Sequence, residues 1–180
     1  MDSERDLRVI KTRKSIQTTL VSMMKERSYQ DISVSNLCRS ADIGRGTFYL
    51  HYNDIYEVVQ ELEDGILESF KDMAFLYFEE ENSASLQTLI SKCLYWIKDN
   101  PDYFQVFLMP STIGFAERFE EYAIDLFYFH NLKYHPSQSS EETRYIISRD
   151  VLGILGAVRS WYKEKMTLSP EIFSKVLVQH

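Results

Sequence analysis

The sequence predicts an all-α protein, with a helix-turn-helix head over residues 1–54 and a helical-bundle body over residues 55–180. Three observations lead there. Apolar residues return at helical spacing in almost every segment. Six Gly and four Pro among 180 residues leave few of the breaks that a strand-rich fold needs. Between Ser33 and Leu50, two short helical patterns flank a turn. The length suits a small head fused to a larger body, and 44% hydrophobic with 26% charged residues is the balance of a compact soluble domain.

The first helix is expected from about Leu7 to Arg27, with Ile16, Leu20 and Met23 or Met24 on one side and Lys and Arg on the other. Ser28 and Tyr29 break that pattern. Ser33 then caps a short second helix through its hydroxyl, with Val34, Leu37, Cys38 and Ala41 inward. Asp42, Ile43 and Gly44 interrupt it, and a third helix from Arg45 to Leu50 buries Phe48. A helix-turn-helix asks for a residue tolerant of the left-handed region at the turn, an apolar residue after it, and small residues where the second helix meets another backbone. Asp42, Ile43, and Gly44 with Gly46 meet those demands.

Asp54 caps a long fourth helix reaching about Glu80, with Val58, Leu62, Ile66 or Gly65, Phe70 and Met73 along one side, and this helix should bridge head and body. Leu86 to Lys98 carries Leu86, Leu89, Ile90, Cys93, Leu94 and Ile97 at helical spacing, and Pro101 opens the next helix. From Tyr103 to Phe129 nine aromatics fall within 27 residues. Large flat side chains make good walls for an apolar ligand cavity, so Phe104, Phe107, Phe115, Phe119 and Tyr122 are its expected lining. His135 to Glu142 is expected as a loop. The helix that follows carries Tyr145, Ile146, Val151, Leu152, Leu155, Val158, Trp161 and Tyr162 over more than one face, with Gly153 and Gly156 admitting another helix closely. A last helix, after Ser169 and Pro170, holds Ile172, Phe173, Val176 and Leu177. Such broad faces suit an oligomer interface, although burial within one chain accounts for the same pattern.

A net charge of −7 is unlike a nucleic-acid binder until it is divided. Between Arg5 and Tyr52 nine Lys or Arg stand against four Asp or Glu, a balance of +5, which leaves −12 for the rest. A basic head on an acidic body directs the head towards DNA and keeps the body off it. The longest apolar candidate, Tyr145 to Tyr162, is interrupted by Arg149, Asp150 and Arg159, and MDSERDLRV has no apolar run behind its charges. Neither a membrane span nor a signal peptide is therefore expected, and the chain is placed in the cytoplasm. Cys38 and Cys93 fall at apolar-facing positions and are expected as reduced thiols, with a redox sensor as the alternative. The sequence has no Gly-rich phosphate loop, G-x-S-x-G, H-E-x-x-H or CxxC, which argues against an enzyme. His130 and His135 lack nearby Cys or paired carboxylates, so no metal or cofactor is expected. Glu79 to Glu81 and Glu120-Glu121 are solvated faces rather than acid and base pairs.

The run Leu37-Cys38-Arg39-Ser40-Ala41-Asp42-Ile43-Gly44-Arg45-Gly46-Thr47-Phe48-Tyr49-Leu50-His51-Tyr52 closely resembles the TetR family signature, I-A-x-x-A-G-V-S-x-G-T-L-Y-x-H-F in one-letter form. Ala41, Gly46, Thr47, Tyr49 and His51 match outright, and Leu37, Ile43, Phe48 and Tyr52 match in kind. Gly153-Ile154-Leu155-Gly156 followed by Trp161 resembles one of the family's C-terminal subtypes. The resemblance implies a homodimeric transcription regulator, generally a repressor, on a palindromic operator of double-stranded DNA. It further implies release by a small apolar or aromatic effector in a body cavity, and a four-helix dimer interface that takes in Leu152, Leu155, Gly156, Trp161 and Phe173.

Carried onto this chain, the family pattern puts Ser33, Arg45, Gly46, Thr47, Tyr49 and His51 at the DNA surface. Ser33 at a helix N-terminus suits a phosphate, Tyr49 and His51 have polar tips for backbone oxygens, and Gly46 permits close approach. Arg45 and Thr47 suit base edges. The alternative for each is a purely structural role, with Tyr49 packed on the first helix, His51 a solvated or capping residue, and Arg45 paired with Asp42, and DNA contact is the favoured reading. Three positions depart from the pattern. Asp42 replaces the turn glycine, Gly44 replaces a capping Ser or Thr, and Ile55 stands where many members carry Lys. These departures keep an alternative open, a family-fold interaction module or coactivator that has lost operator binding.

Overall fold

A computed structural model describes residues 2–79, 86–109, 114–134 and 140–179, and among them every regular element is helical. The order is α1 (Asp2–Met24), a 3₁₀ turn (Tyr29–Asp31), α2 (Val34–Ser40), α3 (Arg45–Tyr49), α4 (Ile55–Glu79), α5 (Leu86–Asp99) and α6 (Pro101–Tyr103). A π-helical turn (Phe104–Leu108) continues α6, followed by α7 (Phe115–Tyr134), α8 (Glu141–Lys163) and α9 (Pro170–Val178).

In the head, α1 lays Ile16, Leu20, Val21 and Met24 against α2 and α4. It ends at Met24 rather than Arg27, where the Glu26 N–H turns back to the Met23 carbonyl at 3.2 Å. The Ser33 hydroxyl caps α2 by accepting from the Asn36 N–H at 3.2 Å. Asp42 ends that helix with φ +53°, the left-handed region. The Ile43 N–H then reaches the Cys38 carbonyl at 3.0 Å and the Asp42 N–H reaches that of Arg39 at 3.4 Å, the paired bonds of a Schellman stop. Gly44 starts α3 without a side-chain cap, and Phe48 anchors it, fully buried.

Head and body share one core. Asp54 Oδ1 accepts the Glu57 N–H at 2.9 Å and so opens α4, whose Ile55, Val58 and Val59 are buried with Phe48 and Tyr52. Further along, Leu62 and Ile66 join Ile90, Leu94, Phe104 and Phe107. Around this long helix α5 and α7 pack, α9 lies on α5, and α8 lies on α7. Glu63, buried on α4, is held by Arg118 of α7 at 2.7 Å, and that guanidinium covers the Phe115 ring.

Helix α8 starts at Glu141, within the segment expected as loop, because Ser140 and Thr143 form a capping box. The remainder of that expected loop, residues 135–139, lies outside the described residues, as do Glu80 and Glu81 of the acidic run. A second Schellman stop closes α8, with Lys165 at φ +60° and the Met166 N–H on the Trp161 carbonyl at 2.9 Å.

Candidate nucleic-acid interface and body cavity

Five of the six residues expected at DNA fall on or directly after α3. Arg45, Gly46 and Tyr49 are exposed, and Thr47 and His51 are half-buried. Ser33 is exposed at the start of α2, with its hydroxyl engaged as the cap. Arg45 makes no ion pair among the described residues, so its guanidinium is available to a ligand, and burial pushes the Cys38 thiol behind it up while Arg45 pulls it down. Tyr49 sets its ring edge-on to Phe48 at 5.5 Å and stays 51% exposed. An added Cβ at Gly46 would meet nothing within 4 Å, so packing inside the chain does not demand a glycine there.

Sequence reasoning passed over Leu50, 82% exposed at the end of α3, and the exposed cations Lys11, Lys14 and Arg39, which form no ion pair among the described residues. Exposure of a lone Leu beside a recognition helix was the available signal. Ile55, one of the departures, is buried beneath the head and offers no group to a phosphate.

Polar contacts tie the head to the body. Arg13 of α1 meets Glu61 of α4 at 2.6 Å and lies over the Tyr52 ring, while Gln17 donates to the Tyr52 hydroxyl at 3.2 Å. Burial and the Glu61 carboxylate push the Tyr52 phenol well above its usual range. Burial would raise Glu61 too, but hydrogen bonds from Arg13 and Tyr52 outweigh it and leave the carboxyl below its usual range. At the far end of α1, Lys25 meets Asp102 of α6 at 2.6 Å, and the Tyr162 hydroxyl of α8 donates to the neighbouring Pro101 carbonyl at 3.1 Å.

The body holds a cavity of about 240 Å³ between α4, α5, the π-helical turn, α7 and α8. Phe104 and Phe119 line it. Phe107 and Phe115 are fully buried and pack edge to face on one another at 5.7 Å, outside the lining, and Tyr122 is half-buried against Phe70. Cys93 is in the wall, and burial pushes its thiol up to about 12, so it faces the cavity as a neutral group. Cys38 and Cys93 are both free. Of the residues expected at a dimer interface, Leu152 and Gly156 are exposed on α8, and Leu155 turns towards the cavity. Trp161 and Phe173 are buried and stack on each other at 5.3 Å, which ties α9 to α8.

A basic three-helix head with an exposed recognition helix, joined through one core to an all-helical body around an apolar cavity, is the architecture of a helix-turn-helix transcription regulator. The family described as "Transcriptional regulator C-terminal region" of the TetR type matches residues 84–179, more than half of the chain, and the chain belongs to the TetR family of transcriptional regulators. An uncharacterized HTH-type transcriptional regulator, YxbF of Bacillus subtilis (strain 168), is 22% identical over 97 residues. That match takes in 52% of this chain and 25% of the relative, so it spans about a quarter of the relative's length. Among solved structures, the fatty acid degradation regulator FadR from Bacillus halodurans superposes with TM-score 0.67 at 15% identity, covering 92% of each chain. NalD, the secondary repressor of the MexAB-OprM multidrug efflux pump in Pseudomonas aeruginosa, superposes with TM-score 0.63 at 16% identity, covering 98% of this chain and 93% of that one. At such identities the likeness is one of fold. No helix among the described residues is long and apolar enough to cross a membrane.

Proposed function

We propose that this regulator is a homodimer that binds a palindromic operator and represses until a small apolar or aromatic molecule fills the body cavity. The observation that carries the reading is an exposed recognition helix with an unpaired Arg45, built on the same core that encloses an apolar chamber. Arg45 is assigned to guanine acceptors, Thr47 to a base edge, and Ser33, Tyr49 and His51 to phosphate and sugar, with Gly46 letting the helix approach. The partner chain is assigned to the exposed face of Leu152, Gly153 and Gly156 on α8, continued by Ile172 and Val176 of α9. Occupancy of the cavity would favour a head spacing that no longer matches two half-sites about one helical turn apart. The contacts Arg13–Glu61 and Lys25–Asp102 supply a path for that change.

The rival reading, an interaction module without operator binding, draws on Gly44, which supplies no hydroxyl or cap to α3, and on buried Ile55, which stands where many family members carry Lys. Titration of DNA from upstream of its own gene, against a scrambled fragment at two salt concentrations, separates the readings. Operator binding predicts a preference for the native fragment, a steep salt slope, and a loss of about 1–3 kcal/mol on Arg45→Ala. Absence of binding to either fragment would sink the operator reading.

A further inference from the structure

We infer that the effector is a lipophilic cation, an apolar body ending in a protonated amine or quaternary nitrogen, received by Asp150. This inference rests on the effector reading above and names the charge of the ligand. Among the described residues that line the chamber, Asp150 is the only charged one. It lies on α8 beside Ile147, Val151 and Ile154 with its side chain 42% exposed, so its carboxylate stands at the solvent-facing rim of the apolar wall. Its partner Arg149 approaches Oδ1 only, from Nε at 2.8 Å and a terminal nitrogen at 2.7 Å, and Oδ2 has no hydrogen bond among the described residues. Arg149 is itself mostly exposed and takes no part in the wall.

Cations that an anionic ligand would need are committed elsewhere. Arg159 binds the Leu108 carbonyl at 2.9 Å and Glu120 at 2.7 Å, Arg118 holds Glu63, and Arg144 holds Asp125 at 2.8 Å. A fatty carboxylate would set its charge beside Asp150, where the one adjacent guanidinium, that of Arg149, is already paired to Asp150 and lies outside the wall. An ammonium gains the free oxygen, and Phe70, Tyr77 and Phe127 make the lining aromatic, a surface that suits a cation better than an anion. Beyond the cavity, the body over residues 55–180 carries 11 Lys or Arg against 20 Asp or Glu, a balance of −9 that draws cations towards it and repels anions.

The test uses decylamine, decanol and decanoate, one apolar chain with three ends, titrated into the full-length protein with Trp96, a lining residue, as fluorescent reporter. Decylamine is expected to bind about tenfold tighter than decanol, with decanoate weakest. In Asp150→Asn the amine-to-alcohol ratio should fall to about one, and Asp150→Glu should restore it. Decanoate binding tightest, decanol matching decylamine in the wild type, or an amine advantage that survives Asp150→Asn would each overturn the inference while leaving a cavity effector in place. Failure of all three ligands to bind a protein that still binds DNA would instead remove the apolar-effector reading itself.

Discussion

Tyr52 has its ring beneath the Arg13 guanidinium and its hydroxyl between Gln17 and Glu61, so one side chain joins α1 to α4. The charge in this cluster is held by Glu61, whose carboxyl lies below its ordinary 4.5 because Arg13 and Tyr52 outweigh the burial that would raise it. A carboxyl with a lowered folded pKa stabilises fully above its unfolded value and loses that contribution as pH falls through the folded value. Glu61→Gln should therefore unfold at lower urea than the wild type at pH 7, and the gap should narrow below about pH 4.5. An equal gap at both pH values would show that Glu61 acts through packing alone. The turn chemistry around this cluster was legible in the sequence, since Asp tolerates the left-handed conformation that Asp42 adopts. The cluster itself was not, because Gln17, Tyr52 and Glu61 come from segments whose spacing gives only the face each presents. For the same reason helical period marked Phe107 and Phe115 as inward but could not say that they pack on each other beside the cavity, or that Asp150 would reach its wall.

Helices were legible where they carry their own stop and start signals. Ser33, Asp54 and Ser169 all cap the elements that follow them, whereas Ser140 caps α8 through a box with Thr143, a pairing less distinct in sequence than one with Glu or Gln. The π-helical turn at Phe104–Leu108, with Phe104, Val106, Phe107 and Leu108 buried, has no sequence signature of its own. Helix-to-helix struts are equally silent in sequence, and the one between α4 and α7 makes a measurable claim. Arg118 is 60% exposed at its side chain while its partner Glu63 is 8% exposed, so removing the arginine strands a buried carboxylate. Water reaching the vacated site softens the penalty, and Arg118→Ala should cost about 1–2 kcal/mol in urea denaturation. If the stranded charge is the cause, adding Glu63→Gln to that variant should recover stability. A double variant weaker than Arg118→Ala would assign the loss to the Phe115 cover instead.

At the scale of the whole molecule, the two mid-helix glycines of α8 have no internal reason to be glycine. A Cβ built at Gly153 or Gly156 meets nothing within 4 Å, and each glycine costs a helix about 1 kcal/mol relative to Ala. Both are exposed, next to Leu152 on the same helix, and in the proposed dimer close approach by a second copy of this face would offset the cost. Gly156→Leu should then keep or raise helical content, because the side chain has room within its own chain. Between two chains it has none, and sedimentation should show a monomer where the wild type shows a dimer. The consequence for DNA follows from bivalence. A dimer gains from a fragment carrying two half-sites because the second head binds intramolecularly, whereas a monomer has one head and gains nothing. Fluorescence anisotropy should therefore find wild type favouring two half-sites over one, and Gly156→Leu binding both equally through an intact Arg45 head. A variant that remained dimeric would move the interface off this face of α8 and leave the two glycines without a physical account.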